Sequence, residues 1–127
     1  MYFNPYYSYM LRSSSYRATY TIAINTSTRK LTLFKNRILY KTYPVGVGKP
    51  STPTPKGNFR IINKAMNPGG PFGARWMGLS VPGYGIHGTN NPTSIGKRVS
   101  NGCIRLYNAN VIELYNLVPL GTPVKII

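Results

Sequence analysis

Glycine and proline interrupt the middle of this chain so often that no helix of ordinary length fits there. Between Pro44 and Gly102 they take 20 of 59 positions, 12 Gly and 8 Pro, and no uninterrupted stretch exceeds ten residues. An interior glycine costs a helix about 1 kcal/mol and a proline about 3 kcal/mol relative to alanine, so this section must be short strands and turns. From Tyr6 to Tyr43, in contrast, there is neither Gly nor Pro. That stretch is rich in Tyr, Thr and Ile. Its residues 18–24 alternate, with Ala18, Tyr20, Ile22 and Ile24 on one face and Thr19 and Thr21 on the other, the signature of a half-buried strand. Leu31–Phe34 repeats the pattern, and Lys35-Asn36-Arg37 reads as a polar turn into Ile38–Val45, which gives a hairpin. Phe59–Asn63, Trp76–Ser80 and Tyr84–His87 are further short strands.

One segment has helical spacing. In the run from Asn108 to Val118, the residues Val111, Leu114, Tyr115 and Val118 fall at i, i+3, i+4 and i+7, with Asn108 as the expected N-cap and Pro119 as the stop. An apolar strand from Pro123 to Ile127 follows. A chain of 127 residues is long enough to bury one core. The expected architecture is mainly β: a single-domain β-sandwich of short strands over residues 18–127, with one helix near the C-terminus and an N-terminal tail over residues 1–17. No run of 18 apolar residues is present, so no membrane span is expected. The first 17 residues are aromatic and polar and do not read as a secretory signal peptide.

Charge narrows the chemistry. There are 16 Lys plus Arg against one acid, Glu113, for a formal net charge of +15. With a single carboxylate side chain, a two-carboxylate glycosidase, a Ser-His-Asp triad, an EF-hand and a two-metal phosphoryl-transfer site are all excluded. One His, one Cys and one Glu hardly supply a zinc site, and no metal or other cofactor is expected. The positive charge calls for a polyanionic partner: nucleic acid, an anionic membrane face or an acidic envelope polymer. The lone cysteine forbids an internal disulfide.

The reactive candidates are therefore few. A lone cysteine is ordinarily a small core hydrophobe, but Cys103 sits in Ser100-Asn101-Gly102-Cys103-Ile104-Arg105. Gly102 leaves open space beside the sulfur for a substrate backbone. In a strand, Cys103 and Arg105 share a face, and a neighbouring cation favours the thiolate. His87, sixteen positions earlier between Ile86 and Gly88, is the one available imidazole, so Cys103 and His87 suggest a nucleophile and its base. With no Asp in the chain, the group that orients His87 is expected to be a backbone carbonyl, and Gly88 is the candidate. The segment from Asn67 to Leu79 is too glycine-rich to pack as core and reads as a binding wall that carries Arg75 and Trp76.

Taken in order, TPTPKGNF, NPGGPFGARWMGL, IHGT and SNGCIRL resemble the L,D-transpeptidase catalytic domain (YkuD-type) from about Tyr20 to Ile127. The resemblance implies a β-sandwich with a helix and a Cys-His transpeptidase acting on peptidoglycan stem peptides. Cys103 then corresponds to the acylated nucleophile, His87 to the general base, and Gly88 to the carbonyl that orients it. The amides of Gly102 and Cys103 would form an oxyanion hole, with Arg105, Ser100, Asn101, Trp76 and Arg75 binding substrate. Asn101 stands where the family usually has His, so that position cannot titrate. Anionic cell-wall polymers become the expected partner of the charge, and the cell wall or spore envelope the expected location. The rivals are an L,D-carboxypeptidase, an inactive wall-binding module, and a basic nucleic-acid-binding domain. The even scatter of Lys and Arg weighs against the last.

Overall fold

The computed structural model describes residues 18–127; the expected tail over residues 1–17 lies outside them. Ten strands and one α-helix follow in chain order: β1 (Tyr20–Asn25), β2 (Lys30–Lys35), β3 (Ile38–Pro44), β4 (Val47–Gly48), β5 (Gly57–Met66), β6 (Arg75–Leu79), β7 (Gly85–His87), β8 (Arg98–Ser100), β9 (Ile104–Arg105), α1 (Asn108–Leu117) and β10 (Pro123–Ile126). Eight strands form one curled sheet in the order β3-β2-β1-β10-β5-β6-β7-β9, and β4 pairs with β8 in a separate two-stranded ribbon. The expected sandwich is thus realised as a single sheet curled around its core.

The alternation in β1 does what the pattern requires: Ile22 and Ile24 are buried, as are Leu31 and Leu33 of β2. The β2–β3 turn uses Asn36 and Arg37 with φ of 53° and 67°. This is the left-handed pair that a two-residue hairpin turn needs. Strand β10 lies between β1, to which it is parallel through Ile22↔Val124, and β5, to which it is antiparallel through Val124↔Phe59. Ile86, Ile104, Leu106 and Val111 join these residues in one continuous cluster, completed by Leu114 and Val118 at α1. Burying each such side chain contributes about 1.5–3 kcal/mol.

Helix α1 departs from expectation at its start. Tyr107 occupies the N-cap position without a side-chain cap, and Asn108 is the first helical residue. Asn108 Oδ1 instead accepts from the amides of Ala74 and Thr89, both at 3.1 Å, while its Nδ2 donates to the Thr89 carbonyl at 3.1 Å. Three bonds to two loops outweigh the single cap bond that the sequence suggested. At the other end, Lys64 Nζ donates to the carbonyls of Tyr115 and Val118 at 2.7 and 2.8 Å, fastening the helix C-terminus to β5.

Candidate active site

Strand pairing brings the chemistry together. In the β6–β7 pair Trp76 stands opposite His87, and in the parallel β7–β9 pair His87 stands opposite Arg105. Cys103 stands just before β9, and its side chain lines the same cavity as those of His87 and Arg105. His87 is 3 % exposed. The Trp76 ring lies nearly parallel to its imidazole, with centroids 5.7 Å apart and planes at 14°. Phe72 meets the imidazole edge-on at 5.1 Å and the indole at 5.4 Å. Gly85 makes this stack possible, since a Cβ there would stand 2.6 Å from Trp76.

The imidazole is held by the backbone. His87 Nδ1 donates to the Gly88 carbonyl at 2.5 Å. A carbonyl can only accept, so Nδ1 carries the proton and Nε2 keeps its lone pair. Gly88 is itself locked: its amide donates to the Arg75 carbonyl at 3.1 Å, and a Cβ on it would meet Asn108 Oδ1 at 2.1 Å. A Cβ on Gly73 would meet the same oxygen at 2.3 Å. Asn108 therefore fills a notch left by two glycines and braces the loop that orients His87. The sequence reading missed this role, because an Asn at a helix start is first read as a cap.

The loop before Cys103 is closed by Ser100, which is buried. Its hydroxyl accepts from the Gly102 amide at 3.0 Å and donates to the Cys103 carbonyl at 2.7 Å, while its carbonyl accepts from the Lys49 amide and the Thr52 hydroxyl. Two expectations change here. The Gly102 amide is committed to Ser100 and is not free to serve an oxyanion, whereas the Cys103 amide has no partner among the described residues. The missing side chain at Gly102 accommodates the Tyr84 ring rather than substrate, since a Cβ there would stand 2.4 Å from Tyr84 Cε1. Ser100 likewise shapes the turn and presents no free hydroxyl to a ligand.

Cys103 is half-buried, with Sγ 4.0 Å from the Gly83 carbonyl. Burial pushes its thiol above the ordinary value; the Gly85 backbone and the Arg105 guanidinium pull it back only in part. Burial also holds the His87 imidazole below its ordinary value. The Gly88 contact opposes that shift and Arg105 adds to it. At both groups desolvation is the largest influence, and it disfavours the charged form of each, with the Arg105 cation opposing it only at the thiol.

A cavity of about 160 Å³ lies between them, lined by Phe72, His87, Ser100, Asn101, Cys103 and Arg105 together with Pro71. Arg105 Nε is buried with no hydrogen-bond partner among the described residues. Trp76 and Arg75 do not line it. Trp76 backs the imidazole and donates Nε1–H to Asn63 Oδ1 at 3.0 Å. Arg75 turns toward the Tyr115 ring at 5.3 Å and the Ala74 carbonyl at 2.7 Å. Both were expected to bind substrate; in the fold they stand behind the cavity and support its walls. A larger hollow of about 580 Å³ on the outer face of β1, β2 and β10 contains no Cys or His, so chemistry rather than volume identifies the site. Among the described residues no three His, Cys, Asp or Glu side chains gather as a metal site, and no helix is long and apolar enough to cross a membrane.

Comparison with known proteins agrees with the geometry. Residues 19–126 match the family model for the L,D-transpeptidase catalytic domain. A putative L,D-transpeptidase YkuD of Bacillus subtilis is 58% identical over 111 residues, covering 87% of this chain and 68% of that protein. Its namesake in Bacillus licheniformis is 57% identical over 107 residues, covering 84% and 65%. The chain thus spans about two thirds of the length of these relatives. Among solved structures, the catalytic domain of an E. faecium L,D-transpeptidase superimposes with a TM-score of 0.74 at 26% identity, over 88% of this chain and 99% of that one. An L,D-transpeptidase from Mycobacterium smegmatis shares the fold with a TM-score of 0.78 at 23% identity, over 87% and 59%.

Proposed function

This chain belongs to the L,D-transpeptidase catalytic domain family, and from that premise we propose that it is a Cys103-dependent acyltransferase acting on peptidoglycan stem peptides in the cell wall or spore envelope. The observation that carries the reading is the shared cavity of Cys103 and His87, with Nδ1 tied to Gly88 so that Nε2 is the basic nitrogen. Cys103 Sγ attacks the carbonyl that joins an L-centred diamino acid to the terminal D-Ala of a stem tetrapeptide, and its proton passes to His87 Nε2. The tetrahedral oxyanion is met by the free Cys103 amide; one such donor contributes on the order of 3 kcal/mol. D-Ala leaves with the proton from His87, and a thioester remains on Cys103. The side-chain amine of a second stem, deprotonated by His87, attacks the thioester, restores the thiol and completes the cross-link. With water as acceptor the same cycle is an L,D-carboxypeptidase. Arg105, which lines the cavity, contacts the donor peptide, and Asn101 beside it supplies an amide that does not titrate.

Intact-mass measurement after incubation with a disaccharide tetrapeptide tests the reading. The expected result is an acyl adduct on Cys103 with release of D-Ala. No adduct and no D-Ala would overturn it.

A further inference from the structure

Beside the strand that pairs with Ser100 lies a second hollow, of about 270 Å³. Its charged lining is all of one sign: Lys49, Lys56 and Arg98, each exposed. Ser27, Thr54 and the glycine backbone of Gly48 complete its polar walls. No acid lines it, and the only acidic side chain in the chain, Glu113, is held by Lys41 at 2.6 Å. Among the described residues the Lys49 and Lys56 ammonium groups make no hydrogen bond or ion pair, and Arg98 makes only a 3.4 Å contact to the Ser27 carbonyl. Thr54 Oγ1 accepts from the Gly48 amide at 3.0 Å, which leaves its own O–H to donate. Thr26, also at the rim, spends its hydroxyl on the Ile127 carbonyl.

Three unpaired cations and a free hydroxyl that converge on a small concave surface suit a tetrahedral oxyanion. We propose that this hollow binds the phosphates of a base-free phosphodiester polymer of the cell envelope. The envelope setting rests on the function proposed above; the phosphate chemistry rests on the hollow alone. Among the described residues no aromatic side chain lines it, so these walls offer no surface on which a nucleobase would stack, the contact by which single-stranded nucleic acid is held. The hollow is also fastened to the reactive loop. Gly48 pairs with Ser100 between β4 and β8, and the Lys49 amide donates to the Ser100 carbonyl at 3.0 Å. A polymer seated there holds the Cys103 cleft against the wall, raising the local concentration of wall-bound stems without altering chemistry on a free peptide.

The test measures binding to poly(glycerol phosphate) by fluorescence anisotropy over a range of salt. The wild type is compared with the triple variant Lys49→Gln, Lys56→Gln, Arg98→Gln and with a charge-matched control, Lys30→Gln, Arg37→Gln, Lys125→Gln. The first triple is expected to weaken binding at least ten-fold more than the control. Its log–log salt slope should fall by about 2, three contacts at roughly 0.7 each. Turnover of a soluble tetrapeptide should stay at the wild-type level. Equal weakening in both triples would reduce the effect to net charge and overturn the site, and greater weakening in the control would move it to the outer sheet face. Single-stranded DNA of matched phosphate number bound as tightly as the polymer would overturn the base-free assignment. Inorganic phosphate bound as tightly would make it a free-anion site. Should the triple fail to fold, Lys56→Gln alone carries the test, with a slope change of about 0.7 expected and no change overturning the site. Absence of tetrapeptide turnover in the wild type would sink the proposed reaction and leave the binding result standing.

Discussion

Substituting Gly102 by alanine separates two explanations of why the residue before the thiol is glycine. In the fold Gly102 has φ +119°, and an added Cβ would lie 2.4 Å from Tyr84 Cε1, 3.1 Å from Cδ1 and 3.4 Å from the Pro53 carbonyl. Backbone strain at such a φ costs about 1–3 kcal/mol, and forcing the Tyr84 ring aside adds about 1–3 kcal/mol, so Gly102→Ala should cost about 3 kcal/mol. At roughly 3–5 °C per kcal/mol for a domain between the small and mid-sized ranges, the melting temperature should fall by about 10 °C. Gly96→Ala is the control for strain alone, because Gly96 has φ +84° and nothing within 4 Å of its Cβ position. Combining Gly102→Ala with Tyr84→Ala should return about 1–2 kcal/mol relative to the sum of the single variants. Urea midpoints followed by circular dichroism supply all four values. If Gly102→Ala proves no more destabilising than Gly96→Ala and only raises KM for the tetrapeptide, the gap faces substrate and the steric argument fails.

Asn108→Ala removes three hydrogen bonds at a partly solvated position, and should cost about 2 kcal/mol and lower kcat as the Gly88 carbonyl drifts from His87. A loss of about 1 kcal/mol with kcat unchanged would mean that Asn108 is merely a helix cap. Iodoacetamide labelling of Cys103 should be slow at pH 7 and accelerate above the ordinary thiol range. Arg105→Gln should shift that profile further upward, and rapid labelling at neutral pH would show that the cation outweighs burial. His87 has its folded pKa lowered, so as pH falls below about 6.5 the unfolded chain takes up a proton that the folded one resists. Stability should be complete above that value and decline below it, and His87→Gln should flatten the decline. With only one carboxylate side chain in the protein, few other groups mask the effect, and chemical denaturation from pH 7 to 5 would reveal it.

Local signals made much of this fold legible. The alternation of β1, the Asn36-Arg37 turn and the Val111/Leu114 spacing are each decided within a few residues, and each appears where the pattern places it. Strands β4 and β8 were not foreseen, because two- and three-residue strands carry no periodicity and exist through their pairing. Strand β5 runs on to Met66, beyond the expected Asn63, because β6 offers partners for Lys64, Ala65 and Met66. In the site, the Cys103, His87 and Gly88 positions follow from composition, since the chain holds no competing thiol or imidazole. What Trp76, Arg75, Ser100 and Gly102 do depends on which partner reaches each atom first. Trp76 goes to His87 and Asn63, Arg75 to Tyr115, and the Gly102 amide to Ser100. Such competition between distant segments leaves no trace in local spacing.

Strand β10 is the last element in chain order, yet it occupies the middle of the sheet. The β1–β2–β3 meander and the β5–β6–β7 meander share a core but have no strand pairing of their own across that gap; the ladder joins them through Val124 and its neighbours. During synthesis from the N-terminus, the strands that carry His87 and Cys103 therefore emerge while half of their sheet is still unattached. Pro123–Ile126 acts as the keystone, and it must be made before the two sides can join. A nascent chain stalled short of Val124 should expose two unsatisfied strand edges, β1 and β5, and be open to proteases at both until β10 arrives.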